Sequence, residues 1–366
     1  MDGVPSDAHY GAVTSTTSLQ DPGTHDREDE ESRRLGAWHR RETVAPHPTA
    51  EPERRPRAAP GPTVCVVMPA YNAGAFVEAA VRSALAQRDV ELTLVVVDDG
   101  STDRTSEILA RIADPRLRVT RVGNGGPARA RNLAAALEPH AEFLALLDAD
   151  DLWDSDKLAT QLAFLREHDD VAAVGSLMRF VTADDRVLGP AGEAMGPEAQ
   201  ERVARGELYP MPTSSLVYRR SAFDAVGGFD EAFRHAGAED LDLLARVARH
   251  GRVACVERVF GGYRVHGGSA MARERRRINV ESRFVRARMA CLARGETLTH
   301  AEFLAMHRPT LGQRRRDLLD ACFRTAAIAF GGRAWGRALA YGAACFVLSP
   351  GYTLRRLQRQ RRRRYS

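Results

Sequence analysis

From Val64 onward, short apolar runs alternate with stretches that carry one apolar stripe. Residues 64–68 (VCVVM), 92–97 (LTLVVV) and 143–147 (FLALL) are too short for free-standing helices and read as buried strands, with a further strand at 117–122. Between them, 75–87 places Phe76, Ala80, Val81 and Leu85 on one helical stripe. Helices are also expected at 104–112, which Thr102 or Asp103 can cap, and at 128–137, which Pro127 opens. Strand–helix repeated in this order predicts a doubly wound, mostly parallel sheet with right-handed crossovers. Beyond it we expect a helix at 157–167, strands at 171–174, 177–181, 213–219 and 253–259, and a helix after Asp240 with Leu241, Leu244, Ala245 and Ala248 on one stripe. The stretch 189–209 is rich in Gly, Pro and charge and reads as a loop with a short helix over the site.

The two ends differ from this middle. Residues 1–62 hold prolines at 5, 22, 46, 48, 52, 56, 60 and 62, many charges and no apolar period, so a disordered tail is expected. From about 273 to 366, helices with arginine on one face are expected, and the chain closes with Arg355, Arg356, Arg359 and Arg361 to Arg364. Such a basic, partly apolar tail suits an anionic membrane face; solvated helices packed on the preceding domain are the equal alternative. Nucleic-acid binding is not expected, since no recognised binding fold accompanies the charge.

Composition changes little. The 366 residues are 44% hydrophobic with a net charge of +5. Five scattered cysteines without a CxxC pair argue against a disulfide framework or zinc site and fit a reducing compartment. No secretory pattern opens the chain, and no uncharged apolar run reaches the ~18 residues of a membrane span. A cytoplasmic protein is expected, with peripheral contact at the inner membrane face as the alternative use of the tail.

The candidate chemistry lies at the strand ends. FLALLDADDLW, at 143–153, ends an apolar strand in Asp148, Asp150 and Asp151. On an extended chain Asp148 and Asp150 point the same way, which suits Mg²⁺ or Mn²⁺ with phosphate co-ligands. A solvated acidic loop is the ordinary alternative. Asp98-Asp99-Gly100-Ser101-Thr102-Asp103 follows the second strand, where open α/β sheets contact a ribose or base. Arg129 and Arg131 lie near a helix N-terminus, a natural anion site, or are surface side chains. Asp240 opens a helix, where the dipole alone favours an acid. There is no GxGxxG fingerprint and no Walker A loop, which disfavours ordinary dinucleotide and ATP sites.

Val66-Val67-Met68-Pro69-Ala70-Tyr71-Asn72, Val97 to Asp103, Ala130-Arg131-Asn132, Leu147 to Asp151 and Glu239-Asp240 occur in this order. Together they resemble the family-2 glycosyltransferases over roughly 64–266. The resemblance implies a GT-A-type catalytic domain over 63–272. Its nucleotide-binding half would be 63–152 and its acceptor half 153–272, with a nucleotide-sugar donor, most often a UDP-sugar. It implies that Pro69, Ala70, Tyr71 and Asp99 line the base site and that Arg131 holds base or phosphate. Asp148 would lie near the ribose, and Asp150 would ligate Mn²⁺ or Mg²⁺. Asp240 would be the catalytic base, and Glu239 would position a sugar, lipid-linked or other hydroxyl acceptor. His266 matches a loop residue that reaches diphosphate or metal in some relatives. A QxxRW-type motif is absent after Asp240, so single addition is expected rather than processive synthesis. The rival readings are a non-catalytic nucleotide-sugar-binding scaffold and a sugar-1-phosphate nucleotidyltransferase. The second lacks its Gly-rich Arg/Lys loop here.

Overall fold

Strand β1 (Thr63–Ala70) pairs in parallel with β2 (Glu91–Asp98) on one side and β4 (Phe143–Leu146) on the other, and β2 pairs in parallel with β3 (Leu117–Arg121). The crossovers are α1 (Val77–Leu85), α2 (Thr105–Ala110) and α3 (Pro127–Ala136). β1, β2 and β4 are apolar at nearly every position because both faces are covered, whereas β3, at the sheet edge, is half-exposed. Val64, Val66 and Met68 pack with α1 on one face, while Cys65 and Val67 pack with α3 on the other. The computed structural model describes residues 63–234, 237–269, 274–331, 335–351 and 353–354. The tail expected over 1–62 and the arginines at 355–364 lie outside the described residues.

The sheet continues beyond β4 in mixed fashion. After β5 (Leu152–Trp153) come α4 (Lys157–Glu167), β6 (Val171–Val181), β7 (Val187–Ala191), α5 (Pro197–Ala204), β8 (Val217–Arg219), α6 (Arg220–Ala225), α7 (Glu239–Val247) and β9 (Arg252–Arg264). The nine-stranded order is β3-β2-β1-β4-β8-β6-β9-β5, with β7 on β6. β8 runs antiparallel to both β4 and β6, and β6 pairs in parallel with β9. The sheet is thus parallel along most of its paired length, as expected, with antiparallel insertions in its second half.

Several boundaries differ from the sequence reading. The two strands expected at 171–174 and 177–181 are one, β6, because β9 pairs along its length. Gly175 lies at its centre, where a Cβ would stand 2.3 Å from Met211 Sδ. The strand expected at 213–219 is a 3-10 turn (Thr213–Ser215) followed by β8. β9 runs on to Arg264, into what reads as a polar loop.

Among the described residues four further helices follow: α8 (Arg275–Ala293), α9 (His300–Met306), α10 (Leu311–Gly331) and α11 (Trp335–Leu348). Phe284, Val285, Met289 and Phe303 from α8 and α9 join Phe233 and Ala245 in a third core, which fastens this extension to α7.

Candidate active site

The loops after β1 and β2 hold each other. Asn72, at φ +50°, accepts from Thr102 N at 2.8 Å, and its own amide donates to Ser101 Oγ at 3.0 Å. Gly74 N donates to Asp103 Oδ2 at 3.0 Å, and Asp103 Oδ1 accepts from Thr105 N at 2.9 Å, so Asp103 serves the start of α2 as expected. Asp98 is buried and accepts from Ser101 N at 2.8 Å and from the Ser106 hydroxyl. Burial opposes its charge, but these hydrogen bonds outweigh it and hold the carboxyl below the usual range.

Asp99 reaches across to the next loop. Its amide donates to Ala70 O at 2.8 Å, and its two carboxylate oxygens accept from Gly125 N and Gly126 N at 2.8 and 2.9 Å. Gly126 is at φ +94°, and a Cβ there would stand 2.1 Å from the Arg234 carbonyl oxygen, so only glycine brings α3 this close. Tyr71 is exposed at the rim, while Ala70 and Pro69 end β1 beside Asp98 and Val97. These positions therefore converge at the C-terminal ends of β1 and β2.

The DADD segment is not extended. β4 stops at Leu146, and Asp151 N donates to Asp148 O at 3.1 Å, closing a turn. Asp148 and Asp150 consequently point to different partners, contrary to the extended-chain expectation. Asp148 Oδ1 accepts from Arg131 Nη2 at 2.7 Å, whereas Asp150 Oδ2 lies 2.9 Å from His266 Nε2. Asp151 is buried, accepting from Arg264 N at 2.7 Å and Ser214 Oγ at 2.6 Å. Burial, then the charges of Asp150 and Asp148, push Asp151 well above the usual carboxylate range.

Arg131 joins the loop after β4 to the start of α7. Its guanidinium is buried, donates to Asp148 and to Glu239 Oε1 at 2.8 Å, and lies 5.3 Å from the Phe229 ring centroid. Glu239 Oε2 also accepts from Gly237 N at 2.7 Å. Burial raises the pKa of both carboxyls against the lowering pull of Arg131. In Arg131 itself burial disfavours the charge, and the two carboxylates more than restore it.

Asp240 is half-buried on the first turn of α7. Its Oδ2 accepts from Thr213 Oγ1 at 2.6 Å and its Oδ1 from Leu241 N at 2.7 Å. Thr213 Oγ1 in turn lies 3.0 Å from the Tyr209 hydroxyl. The neighbouring Ser214 accepts from Asp148 N at 3.0 Å and donates to Asp151. The buried turn Thr213–Ser215 therefore ties the carboxylate on α7 to those after β4. Sequence reasoning missed Thr213, Ser214, Tyr209 and Arg264. The one available indication was Pro212 before three consecutive hydroxyl-bearing or small residues, which favours a turn over a strand.

Behind the turn stands Lys157, buried with its Nζ 2.7 Å from Gln161 Oε1 and 4.2 Å from the Trp153 ring centroid. Gln161 donates to Ser215 O at 2.9 Å and Trp153 Nε1 to Ser214 O at 2.6 Å. Burial pushes the Lys157 amine well below its usual pKa.

Among the described residues no group of three or more His, Cys, Asp or Glu is arranged to hold a metal by itself. Asp150 with His266 is a two-residue set, and Arg131 already occupies Asp148. That set fits Mn²⁺ or Mg²⁺ whose remaining ligands are substrate phosphate and water.

An α/β sheet that gathers carboxylates and paired arginines at the ends of its parallel strands is built to bind a ligand there. Residues 65–227 match the model of glycosyl transferase family 2. An uncharacterized glycosyltransferase of Nostoc sp. is 27% identical over 216 residues, 56% of this chain and 66% of that protein. The succinoglycan biosynthesis protein ExoU of Rhizobium meliloti is 32% identical over 258 residues, 65% of this chain and 72% of that protein. The first match thus spans just under two thirds of its relative's length. A solved mannosyltransferase from Pyrobaculum calidifontis, in complex with GDP-Man and Mn²⁺, is 22% identical with a TM-score of 0.49, covering 82% of this chain and 86% of that one. The chain belongs to glycosyl transferase family 2. Its mostly parallel, helix-flanked sheet is the GT-A-type architecture expected, and α8 to α11 are the C-terminal helical extension. The family match stops before Glu239, Asp240 and His266, so what can be said of them rests on geometry.

Proposed function

We propose that this chain moves one sugar from a nucleoside-diphosphate sugar, a UDP-sugar foremost, to an acceptor hydroxyl with inversion, in cell-surface polysaccharide, glycolipid or glycoconjugate synthesis. The observation that carries this reading is the turn Thr213–Ser215. Its adjacent hydroxyls bind half-exposed Asp240 on one side and the DADD carboxylate Asp151 on the other. A base and a diphosphate-facing carboxylate cluster are thereby held in one framework.

Asp240 takes the proton of the acceptor hydroxyl as its oxygen attacks C1 of the sugar, and the bond from C1 to the diphosphate oxygen breaks. Glu239, fixed by Arg131 and Gly237, shapes the acceptor side. Pro69, Ala70, Tyr71 and Asp99 form the base site. Arg131 supports that site through Asp148, by the ribose, more than it offers a free guanidinium. Asp150 and His266 would hold the divalent metal, which supplies positive charge to the departing diphosphate. A supply of such charge suits the site, since Asp148, Asp150 and Asp240 lie there part-exposed while Arg131 and Arg264 are already engaged. In this reading 63–152 is the donor half and 153–272 the acceptor half. The arginines at 355–364 favour an anionic membrane face.

Calorimetry of UDP, GDP and dTDP with and without Mn²⁺, on the unaltered protein and on Asp150→Ala, tests it. Metal-dependent binding of one nucleotide, lost in the variant, is expected. Folded protein that binds none of them overturns the reading, and metal-dependent binding with no turnover on any donor would make the chain a scaffold.

A further inference from the structure

Among the described residues, the last two helices leave an apolar surface uncovered. α10 and α11 form an antiparallel hairpin, since Phe330 meets Trp335 edge-on at 5.1 Å near its turn and Cys345 Sγ lies 3.8 Å from Leu319 O further along. Leu319, Phe323 and Cys345 are buried between the helices. The opposite face of α11 shows Trp335, Leu339, Phe346 and Val347, which are 55%, 74%, 43% and 84% exposed. Spaced at i, i+4, i+11 and i+12, they fall on one stripe about 120° wide. Phe330, 57% exposed, carries the stripe around the hairpin tip. A continuous exposed stripe of large apolar side chains marks a contact surface.

Two observations choose the occupant. α11 has 14 residues, about 21 Å of helix against about 30 Å of bilayer hydrocarbon, and no helix among the described residues is long and apolar enough to cross a membrane. The hairpin can therefore lie on a bilayer but not span it. The charge around it is basic. Arg314, Arg315 and Arg316 are exposed on the first turns of α10, and the sequence directly after the hairpin carries seven arginines, at 355, 356, 359 and 361–364, with no acid. Anionic lipid complements that charge, whereas a second copy would bring like charge against like. Aromatic side chains beside a basic segment are the usual make-up of a helix seated among headgroups.

We propose that Trp335, Leu339, Phe346 and Val347, with Phe330 at the tip, seat the α10–α11 hairpin in the headgroup layer of an anionic bilayer. Its use, holding the cleft beside a lipid-linked acceptor, rests on the glycosyl-transfer reading; the seating itself does not.

The test is sedimentation of the full chain with vesicles of phosphatidylglycerol and phosphatidylcholine, and with phosphatidylcholine alone. The unaltered chain is expected to sediment with the anionic vesicles. Leu339→Gln/Val347→Gln, which adds no charge and alters only exposed positions, should partition at least about tenfold less. Tryptophan emission should shift to the blue on the anionic vesicles and lose that shift in Trp335→Phe. Circular dichroism of each variant confirms the fold. Equal partitioning of the double variant would assign binding to the arginines alone and overturn the stripe. So would an unaltered chain that is dimeric by light scattering while the double variant is monomeric. Nucleotide calorimetry without vesicles fails or succeeds separately, so the two readings can be told apart.

Discussion

In the loops after β1 and β2, nearly every motif side chain is used on neighbouring backbone. Asn72, Asp98, Asp99 and Asp103 accept from the amides of Thr102, Ser101, Gly125, Gly126, Gly74 and Thr105. The segments after β4, in the turn before β8, at the start of α7 and after β9 are built differently. There Asp240 and Asp150 stay half-exposed, each held by one side chain from elsewhere in the chain, Thr213 and His266. The first region is rigid by local hydrogen bonding and suits binding. The second leaves carboxylates with unused lone pairs and suits chemistry. Substitutions should therefore separate, affinity and stability on one side and turnover on the other.

The sharpest way to break that division is Asp240→Asn. It keeps an acceptor for Thr213 and removes the base, so turnover should fall on the order of 10²–10⁴-fold. Nucleotide affinity by calorimetry should stay unchanged. Loss of nucleotide binding together with turnover would show that Asp240 supports the donor loops instead.

Arg131→Met attacks the join between the regions. It leaves buried Glu239 and part-buried Asp148 without their cation, which costs about 3–5 kcal/mol in urea unfolding. The sign with pH follows from the raised pKa of both carboxyls in the fold. The folded chain then binds protons more tightly than the unfolded one, so stability is fullest below the unfolded carboxyl values and is lost as pH climbs through the folded ones. The variant should lose stability as pH rises above the unfolded carboxyl range and recover it as pH falls back. A variant as stable as the unaltered chain, with weakened nucleotide binding alone, would return Arg131 to direct donor contact.

This division also decided what was legible beforehand. Strands β1, β2 and β4 announce themselves as apolar runs because both faces of a parallel sheet are buried, and the loops after them carry contiguous motifs. Asp150 and His266 were paired only through the family resemblance, being 116 positions apart. Thr213 was hidden because its contact, Asp240, lies 27 positions away and on another element. The turn at Thr213–Ser215 was read as strand because Leu216 and Val217 continue the apolar pattern. β9 was cut short because Gly261 and Gly262 interrupt it, although Gly261 pairs with Trp153 and leaves only 2.1 Å between a Cβ and Leu152 O.

Thr213→Val sharpens the comparison on a smaller scale. The isosteric change removes the hydroxyl from Asp240 and leaves Ser214 in place. A hydrogen bond to a charged group is worth about 1.5–3 kcal/mol, so kcat should drop by roughly ten- to a hundredfold, with KM for the donor little changed. Thr213→Ser should restore it. A donor KM that rises instead, with kcat intact, would place Thr213 with the binding loops.

The smallest effect tests what stands behind the turn. Lys157 reaches Ser215 through Gln161 and shares Trp153 with Ser214, so it supports the catalytic side from within the core. Burial lowers its folded pKa well below the ordinary lysine value of 10.5. Between that lowered value and 10.5 the unfolded chain binds more protons than the folded one, so stability rises with pH through this window and is lost as pH falls. Urea midpoints at pH 7, 8 and 9 should climb for the unaltered chain relative to Lys157→Met, by up to about 1.4 kcal/mol per pH unit. Parallel midpoints would mean that Lys157 keeps its proton in the fold. The Trp153 ring face and Gln161 would then carry a buried charge, and the turn would rest on an electrostatic support that the self-satisfied donor loops do without.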